Sequence, residues 1–348
     1  MSSEGKLNIR EFDLEGLKDI LIGFGEPTYR AKQIHQWLWI KNVREFSSML
    51  NIPKTLISKL EAHYFIPSLE QVKVQLSSDG TIKSGFKLFD SKIVEGVLIP
   101  QTKRMTACIS SQVGCSLSCK FCATGQMKQM RNLTADEMYD QVMAINKQAL
   151  EHNDRHLSNV VYMGMGEPLL NYKEVLRSID MLISKDGMGM SPRRITLSTA
   201  GIAKMIRKMG DDKVRFNLAV SLHAANDKKR NEIMPINESN NLKALTEALV
   251  HFQKMTDSRI TFEYIVFKDF NDKLQDAKEL AEFCKSFFCK INLIEYNPIK
   301  GVSYKNADSD KLEQFSDFLK SCNLVVNVRR SRGKDIDAAC GQLANKEG

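Results

Sequence analysis

The chain has 348 residues, 43% of them hydrophobic, which is ample for a core and long for one domain unless that domain is an α/β barrel. No apolar run approaches the roughly 18 residues of a membrane span, and the polar start lacks a signal-peptide core, so a cytoplasmic protein without membrane attachment is expected. Lys plus Arg number 50 against 42 Asp plus Glu, and eight Cys in that compartment point to metal or redox chemistry rather than a disulfide framework.

Residues 1–62 read as a small helical unit. Its first helix, 13–24, puts Leu14, Leu17, Ile20 and Leu21 on one face; 29–40, 46–49 and 53–63 follow. Trp37 and Trp39 are expected to divide between core and surface rather than to stack on bases. Over 63–100 the period shifts towards two, and 71–76, a turn at Asp79-Gly80, 82–89 and 92–99 read as a short β extension. From 101 to 330, strands at 105–110, 159–163, 194–198, 216–221, 260–266, 291–295 and 324–328 alternate with helices at 134–152, 172–184, 202–209, 242–255, 274–287 and 309–322. Thr134-Ala135-Asp136-Glu137 is a capping box for the first of these helices. Six βα repeats predict an α/β fold, a parallel sheet curled into a partial (βα)6 TIM-type barrel with its chemistry at the C-terminal strand ends. Residues 331–348 form a tail of small residues, expected to be flexible.

Chemistry-bearing residues follow the strands. Behind Gly114, Cys115, Cys119 and Cys122 stand at a C-x3-C-x2-C spacing that lets one loop wrap a soft metal centre. Structural zinc normally closes at four ligands and so does an iron–sulfur cube, so three Cys leave one iron open to a substrate or cofactor. A zinc site completed by Cys108 or a distant Cys is the alternative. After the second strand comes Gly164-Met165-Gly166-Glu167-Pro168, where glycine admits a ligand close to backbone and Glu167 can take an ammonium group. Ser198 ends the third strand, Ser221-Leu222-His223 the fourth, and Asn297 lies just past the sixth. His223 alone would read as a satisfied strand-end histidine; in this series it is a ligand candidate. Cys108, in an apolar strand, reads by itself as a core thiol, whereas nothing about packing asks for a Cys at 340. Cys284, Cys289 and Cys322 read as core or surface thiols. Basic clusters at Arg193-Arg194, Lys228-Lys229-Arg230, and Arg329-Arg330 with Arg332 and Lys334 each read as solvated element ends, but together suggest a polyanionic partner, with the N-terminal helices as a further candidate surface.

These residues carry a resemblance. The three-Cys loop, with Phe121 before its last Cys, resembles the signature of radical S-adenosylmethionine (SAM) enzymes, and Gly166-Glu167 resembles their SAM-binding stretch, with Met165 standing where a first glycine is usual. Residues 108–115, the MGMGEP run and the tail at 335–343 together resemble the RNA adenine methyltransferases of the radical SAM class, over nearly the whole chain. That family includes C2-methylating (RlmN-type) and C8-methylating, antibiotic-resistance (Cfr-type) members. The resemblance implies a [4Fe-4S] cluster on Cys115, Cys119 and Cys122, and SAM held by Gly166, Glu167, Ser198, Ser221, Leu222, His223 and Asn297. It implies that Cys340 accepts a methyl from one SAM, that a second SAM supplies a radical, and that the activated carbon adds to adenine. Cys108 then releases the base through a transient Cys108–Cys340 disulfide, with Glu95 as proton acceptor. C2 of adenine and the methyl of SAM are both electrophilic, which is why such a route needs a radical. The implied substrates are 23S ribosomal RNA, at the peptidyl-transferase centre, and tRNA, at the adenosine 3′ of the anticodon. The implied electron donor is a flavodoxin or ferredoxin, and the protein is expected to be a monomer. C8 methylation stays open, as does a radical SAM enzyme with a small-molecule or protein substrate, which would not need Cys108 and Cys340.

Overall fold

Strand Ile260–Ile265 is buried at every residue, although its sequence includes Thr261 and Glu263. A strand covered on both faces belongs inside a parallel sheet, with helices on one side and either packed side chains or a ligand on the other. The computed structural model, which describes residues 5–344, has that arrangement. Its main sheet has ten strands: β1 (Glu70–Leu76), β2 (Ile82–Lys87), β3 (Ile93–Gln101), β4 (Arg104–Ile109), β5 (Asn159–Tyr162), β6 (Ile195–Thr199), β7 (Asn217–Ser221), β8 (Ile260–Ile265), β9 (Cys289–Ile294) and β10 (Val326–Arg329). Their spatial order follows the chain from β1 to β10. The last seven are parallel and joined by helical crossovers, as the alternating pattern led one to expect, and among the described residues β10 pairs only with β9. The barrel is therefore partial. β1 to β3 continue the same sheet in antiparallel fashion, joined to β4 with Val97 opposite Cys108.

The N-terminal helices are α1 (Leu14–Gly23), capped by the Asp13 carboxylate on the Gly16 N–H, α2 (Arg30–Trp39) and α3 (Lys54–His63). A two-residue parallel pairing of Leu7–Asn8 with Tyr64–Phe65 closes this unit. Leu17, Leu21, Ile34, Leu38, Leu56 and Leu60 fill its interior; Trp39 is buried, and Trp37 half-buried. α4 (Ala135–Asn153) follows the cluster loop and starts with the expected capping box, in which Glu137 accepts from the Thr134 N–H at 3.0 Å. α5 (Tyr172–Ile183), α6 (Ala203–Asp211), α8 (Leu242–Thr256), α9 (Leu274–Cys284) and α10 (Ser309–Ser321) are the remaining expected helices. A seventh, α7 (Asp227–Ile233), was not expected: the Lys228-Lys229-Arg230 run that forms it reads as solvated charge, yet Arg230 is fully buried. No described helix is long and apolar enough to cross a membrane.

Candidate active site

At the C-terminal ends of the parallel strands lies a cavity of about 490 Å³. The loop after β4 enters it through Gly114, which has φ +79° and would set a Cβ 2.2 Å from the Lys128 carbonyl. Only glycine fits that approach. The loop is pinched at its base by pairing of Gln112–Val113 with Arg131–Asn132, and Cys115, Cys119 and Cys122 all line the cavity. Burial pushes the Cys115 thiol up to about 11, and raises Cys119 and Cys122 too; the crowding of Cys119 by Cys122 and Cys115 adds to its shift. A cationic centre is what would turn three such thiols into thiolates. Among the described residues, no three His, Cys, Asp or Glu side chains are placed to hold one metal ion.

The next loop is fixed by the first. Met165 N–H donates to the Ser110 hydroxyl at 2.8 Å, the Met165 carbonyl accepts from Ser111 N–H at 2.9 Å, and Glu167 N–H donates to Gln112 Oε1 at 2.8 Å. Gly166 has φ +95°, and a Cβ there would lie 2.5 Å from Gln112 Cβ. The Met165 side chain is buried away from the cavity, so the position lacking its expected glycine bears no wall; Met163 does line it. The Glu167 carboxylate is buried, raised by that burial, and accepts from Ala200 N–H (2.7 Å) and Leu169 N–H (3.0 Å).

Ser198, Ser221 and His223 also line the cavity, as do Cys108 and Cys340. His223 Nδ1 accepts from Ile265 N–H at 3.1 Å, and burial pushes the ring down to about 3. The ring is neutral at physiological pH, with its proton on Nε2. Leu222, Asn297 and Glu95 stand outside the cavity wall. Leu222 is packed in the core; Asn297 Nδ2 donates to the Cys340 carbonyl at 3.1 Å. Glu95 is buried rather than on an exposed strand face, lies 3.6 Å from Lys83 Nζ, and accepts from Ala344 N–H at 2.8 Å.

The tail is docked, which corrects the expectation of a free segment. Asp335 accepts from the Ser77 hydroxyl and Ser78 N–H, Gly341 from Ala123 N–H at 2.7 Å, and Leu343 from the Thr124 hydroxyl at 2.6 Å. Ala338, Ala339 and Leu343 are buried, so small residues pack here because the tail threads between the cluster loop and the β extension. Cys340 is ringed by protein, yet its surface is open to the cavity. Burial raises both its thiol and that of Cys108, which reaches about 12, and the Arg329 charge pulls each back.

The basic clusters separate. Arg193-Arg194 precede β6 and so stand at the opposite sheet end from the cavity. Arg230 is an internal tie, donating to the carbonyls of Ala200 (2.6 Å), Ser221 (3.2 Å) and Leu222 (3.2 Å), and Lys229 pairs with Asp276. Only Arg329, Arg330 and Arg332 line the cavity. The residue reading missed Arg230 and also Glu263, whose signal was a carboxylate amid an apolar strand.

A family model described as "Ribosomal RNA large subunit methyltransferase N-terminal domain" matches residues 7–66, and one for the Radical SAM superfamily matches residues 109–284. The "Probable dual-specificity RNA methyltransferase RlmN" of Cytophaga hutchinsonii is 58% identical, over 97% of this chain and 93% of its own. The chain belongs to the RlmN family of radical SAM RNA methyltransferases. The "Dual-specificity RNA methyltransferase RlmN" of Nautilia profundicola is 39% identical, over 96% of this chain and 98% of its own. The crystal structure of a radical SAM methyltransferase from Sphaerobacter thermophilus superposes with a TM-score of 0.91 at 38% identity, covering 97% of this chain and 99% of that one. The RlmN family works on RNA, and its radical SAM membership implies a [4Fe-4S] cluster and SAM. The donor set fits both: three soft thiols on one loop, and in the same cavity wall an acceptor carboxylate, Glu167, for an ammonium group.

Proposed function

We propose that the enzyme methylates C2 of adenosine in 23S ribosomal RNA, at the peptidyl-transferase centre, and in tRNA, at the adenosine 3′ of the anticodon. Two SAM are used per turnover, the enzyme works as a cytoplasmic monomer, and a flavodoxin or ferredoxin supplies electrons. The observation that carries this reading is that Cys108 and Cys340 line one cavity with Cys115, Cys119 and Cys122. A radical SAM enzyme without a carbon relay has no use for two further thiols there.

When bound on Cys115, Cys119 and Cys122, the cluster with SAM supplies the one-electron chemistry that an unreactive C–H bond requires. The chain's own residues do the rest. Gly166 and Glu167 hold the amino-acid end of SAM, and Ser198, Ser221, Leu222, His223 and Asn297 set its remainder through side chains or backbone. Cys340 attacks the sulfonium methyl: its sulfur gains the carbon and the sulfonium loses it. Once that carbon is joined to adenine, the Cys108 sulfur attacks the Cys340 sulfur: the S–S bond forms as the S–C bond breaks, and the carbon keeps that electron pair and takes a proton to become the methyl of the freed base. Glu95 takes the proton leaving the ring carbon, for which its carboxylate must first exchange the Ala344 N–H for the substrate. Arg329, Arg330 and Arg332 attract the RNA backbone, a term that salt weakens.

The test is an unmodified RNA transcript incubated anaerobically with enzyme, SAM and reductant, then digested for nucleoside mass spectrometry. 2-Methyladenosine is expected, and none with Cys340→Ala, which keeps its iron and shows no alkylated protein. 8-Methyladenosine would move the enzyme to the other branch of the family, and normal turnover by Cys340→Ala would overturn the relay.

A further inference from the structure

Glu263 lies in the middle of β8 and is only 5% exposed, yet it belongs to the wall of the cavity that holds Cys340. Buried carboxylates carry a large desolvation cost and persist where partners satisfy both oxygens. Here only one oxygen is satisfied. Oε1 accepts from Asn292 Nδ2 at 2.9 Å and faces Arg329 Nη1 at 3.6 Å. Asn292 is in turn held by Asn327 Nδ2 at 3.3 Å, so side chains from β8, β9 and β10 fix the carboxyl plane. Oε2 has no hydrogen-bond partner. A carboxylate so held in a cavity wall, with one buried oxygen unpartnered, is an acceptor suited to a donor that arrives with a ligand.

Two ligands bring a donor on an adenine ring: the RNA, and SAM itself. The neighbouring Arg329 charge favours the RNA. Under the proposed function SAM runs from Glu167, after β5 and three strands away, to Ser221, the register partner of Glu263, so SAM is the alternative that the test separates. Glu263 is on the side of Arg329 and of Cys340, from which the carbon is delivered, and its charge is felt at the Cys340 thiol.

We propose that Glu263 is a specificity-determining residue whose Oε2 accepts from the exocyclic amino group of the target adenine. This rests on the proposed function. Guanine presents a carbonyl oxygen at that ring position, and an acceptor facing an acceptor in a dry site is strongly disfavoured. The carboxylate would therefore exclude guanine before any chemistry starts.

The test uses the RNA that the wild-type enzyme methylates, synthesised with adenosine, inosine or purine riboside (no amino group) at the target. Wild type is expected to methylate purine riboside roughly 10- to 100-fold more slowly than adenosine, the cost of leaving one buried acceptor unmade. In Glu263→Ala that ratio falls to within about threefold of unity, because no acceptor remains to be orphaned. Glu263→Gln, which keeps the shape and can donate to inosine's oxygen, raises inosine relative to adenosine and covers the case in which the alanine variant folds poorly. SAM affinity, measured by equilibrium binding to the cluster-loaded variants, stays unchanged. A wild-type ratio near unity overturns the assignment. So does a ratio that persists in both variants while SAM affinity drops, which would hand the oxygen to SAM. If the wild-type enzyme leaves adenosine RNA unmethylated, the proposed function falls first and the Glu263 assignment with it; adenosine methylated without discrimination removes Glu263 alone.

Discussion

Cys108 shows how one environment sets two demands. Packed between β3 and β5, its thiol is held protonated at neutral pH, and it becomes a nucleophile only when a positive neighbour such as Arg329 and a suitable sulfur are both present. If it is the residue that frees the product, Cys108→Ala should leave RNA covalently bound to protein after one turnover, visible as a retarded species on a denaturing gel. Unattached RNA carrying a methyl group would end that role. His223 makes a different prediction. Its ring is neutral in the folded protein down to about pH 3, against 6.5 for an ordinary histidine. Below 6.5 the unfolded chain takes a proton that the folded chain refuses, so stability contributed here is present above that pH and is lost as pH falls. The loss is up to about 1.4 kcal/mol per pH unit. Between pH 6.5 and 5.5, His223→Gln should therefore lose about 1 kcal/mol less than wild type in denaturant titrations. Equal losses in both proteins would mean that the ring is not shielded.

At the scale of elements, the site depends on loops clamped to one another more than on the strands that launch them. Gly166 stands where the MGMGEP loop crosses Gln112, with a backbone conformation that side chains rarely adopt and no space for a Cβ. Gly166→Ala is expected to weaken SAM binding by at least about tenfold through backbone strain, while iron content, set by the other loop, holds. Unchanged SAM affinity would show that the loop can shift at little cost. The helix α7 explains why one basic run misled. Its seven residues present Lys228 outward, while Arg230 turns inward to bind three carbonyls at strand ends. A charge run looks the same in one dimension whether it faces water or a barrel's interior.

Across the whole molecule, the N-terminal unit is fastened to the barrel at α4. Arg10 is fully buried, pairs with Asp140 at 2.8 Å and stacks on Trp39 at 4.3 Å, while Tyr139 donates to the Trp39 carbonyl at 2.8 Å. Arg44 pairs with the other oxygen of Asp140. Arg10→Ala leaves Asp140 to Arg44 alone, takes the neighbouring positive charge from buried Asp136 and empties the space beside Trp39, and is expected to cost about 3 kcal/mol of stability by chemical denaturation. A loss below about 1 kcal/mol would put the fastening in apolar contact instead.

The cluster loop, the MGMGEP run and the βα alternation were legible in the chain itself, because ligand spacing and hydrophobic period are local and survive in one dimension. Metal-ligand thiols within one loop are neighbours before folding begins. That Cys108 and Cys340 share a cavity was implied by the family resemblance but not by spacing or period, since it depends on a tail docked against the cluster loop and β extension by hydrogen bonds from far-off residues. The sorting of the basic clusters and the placing of Glu263 in the cavity wall with one buried oxygen unpartnered were decided by tertiary structure alone, because both turn on which way a strand end or a side chain points once the sheet has curled.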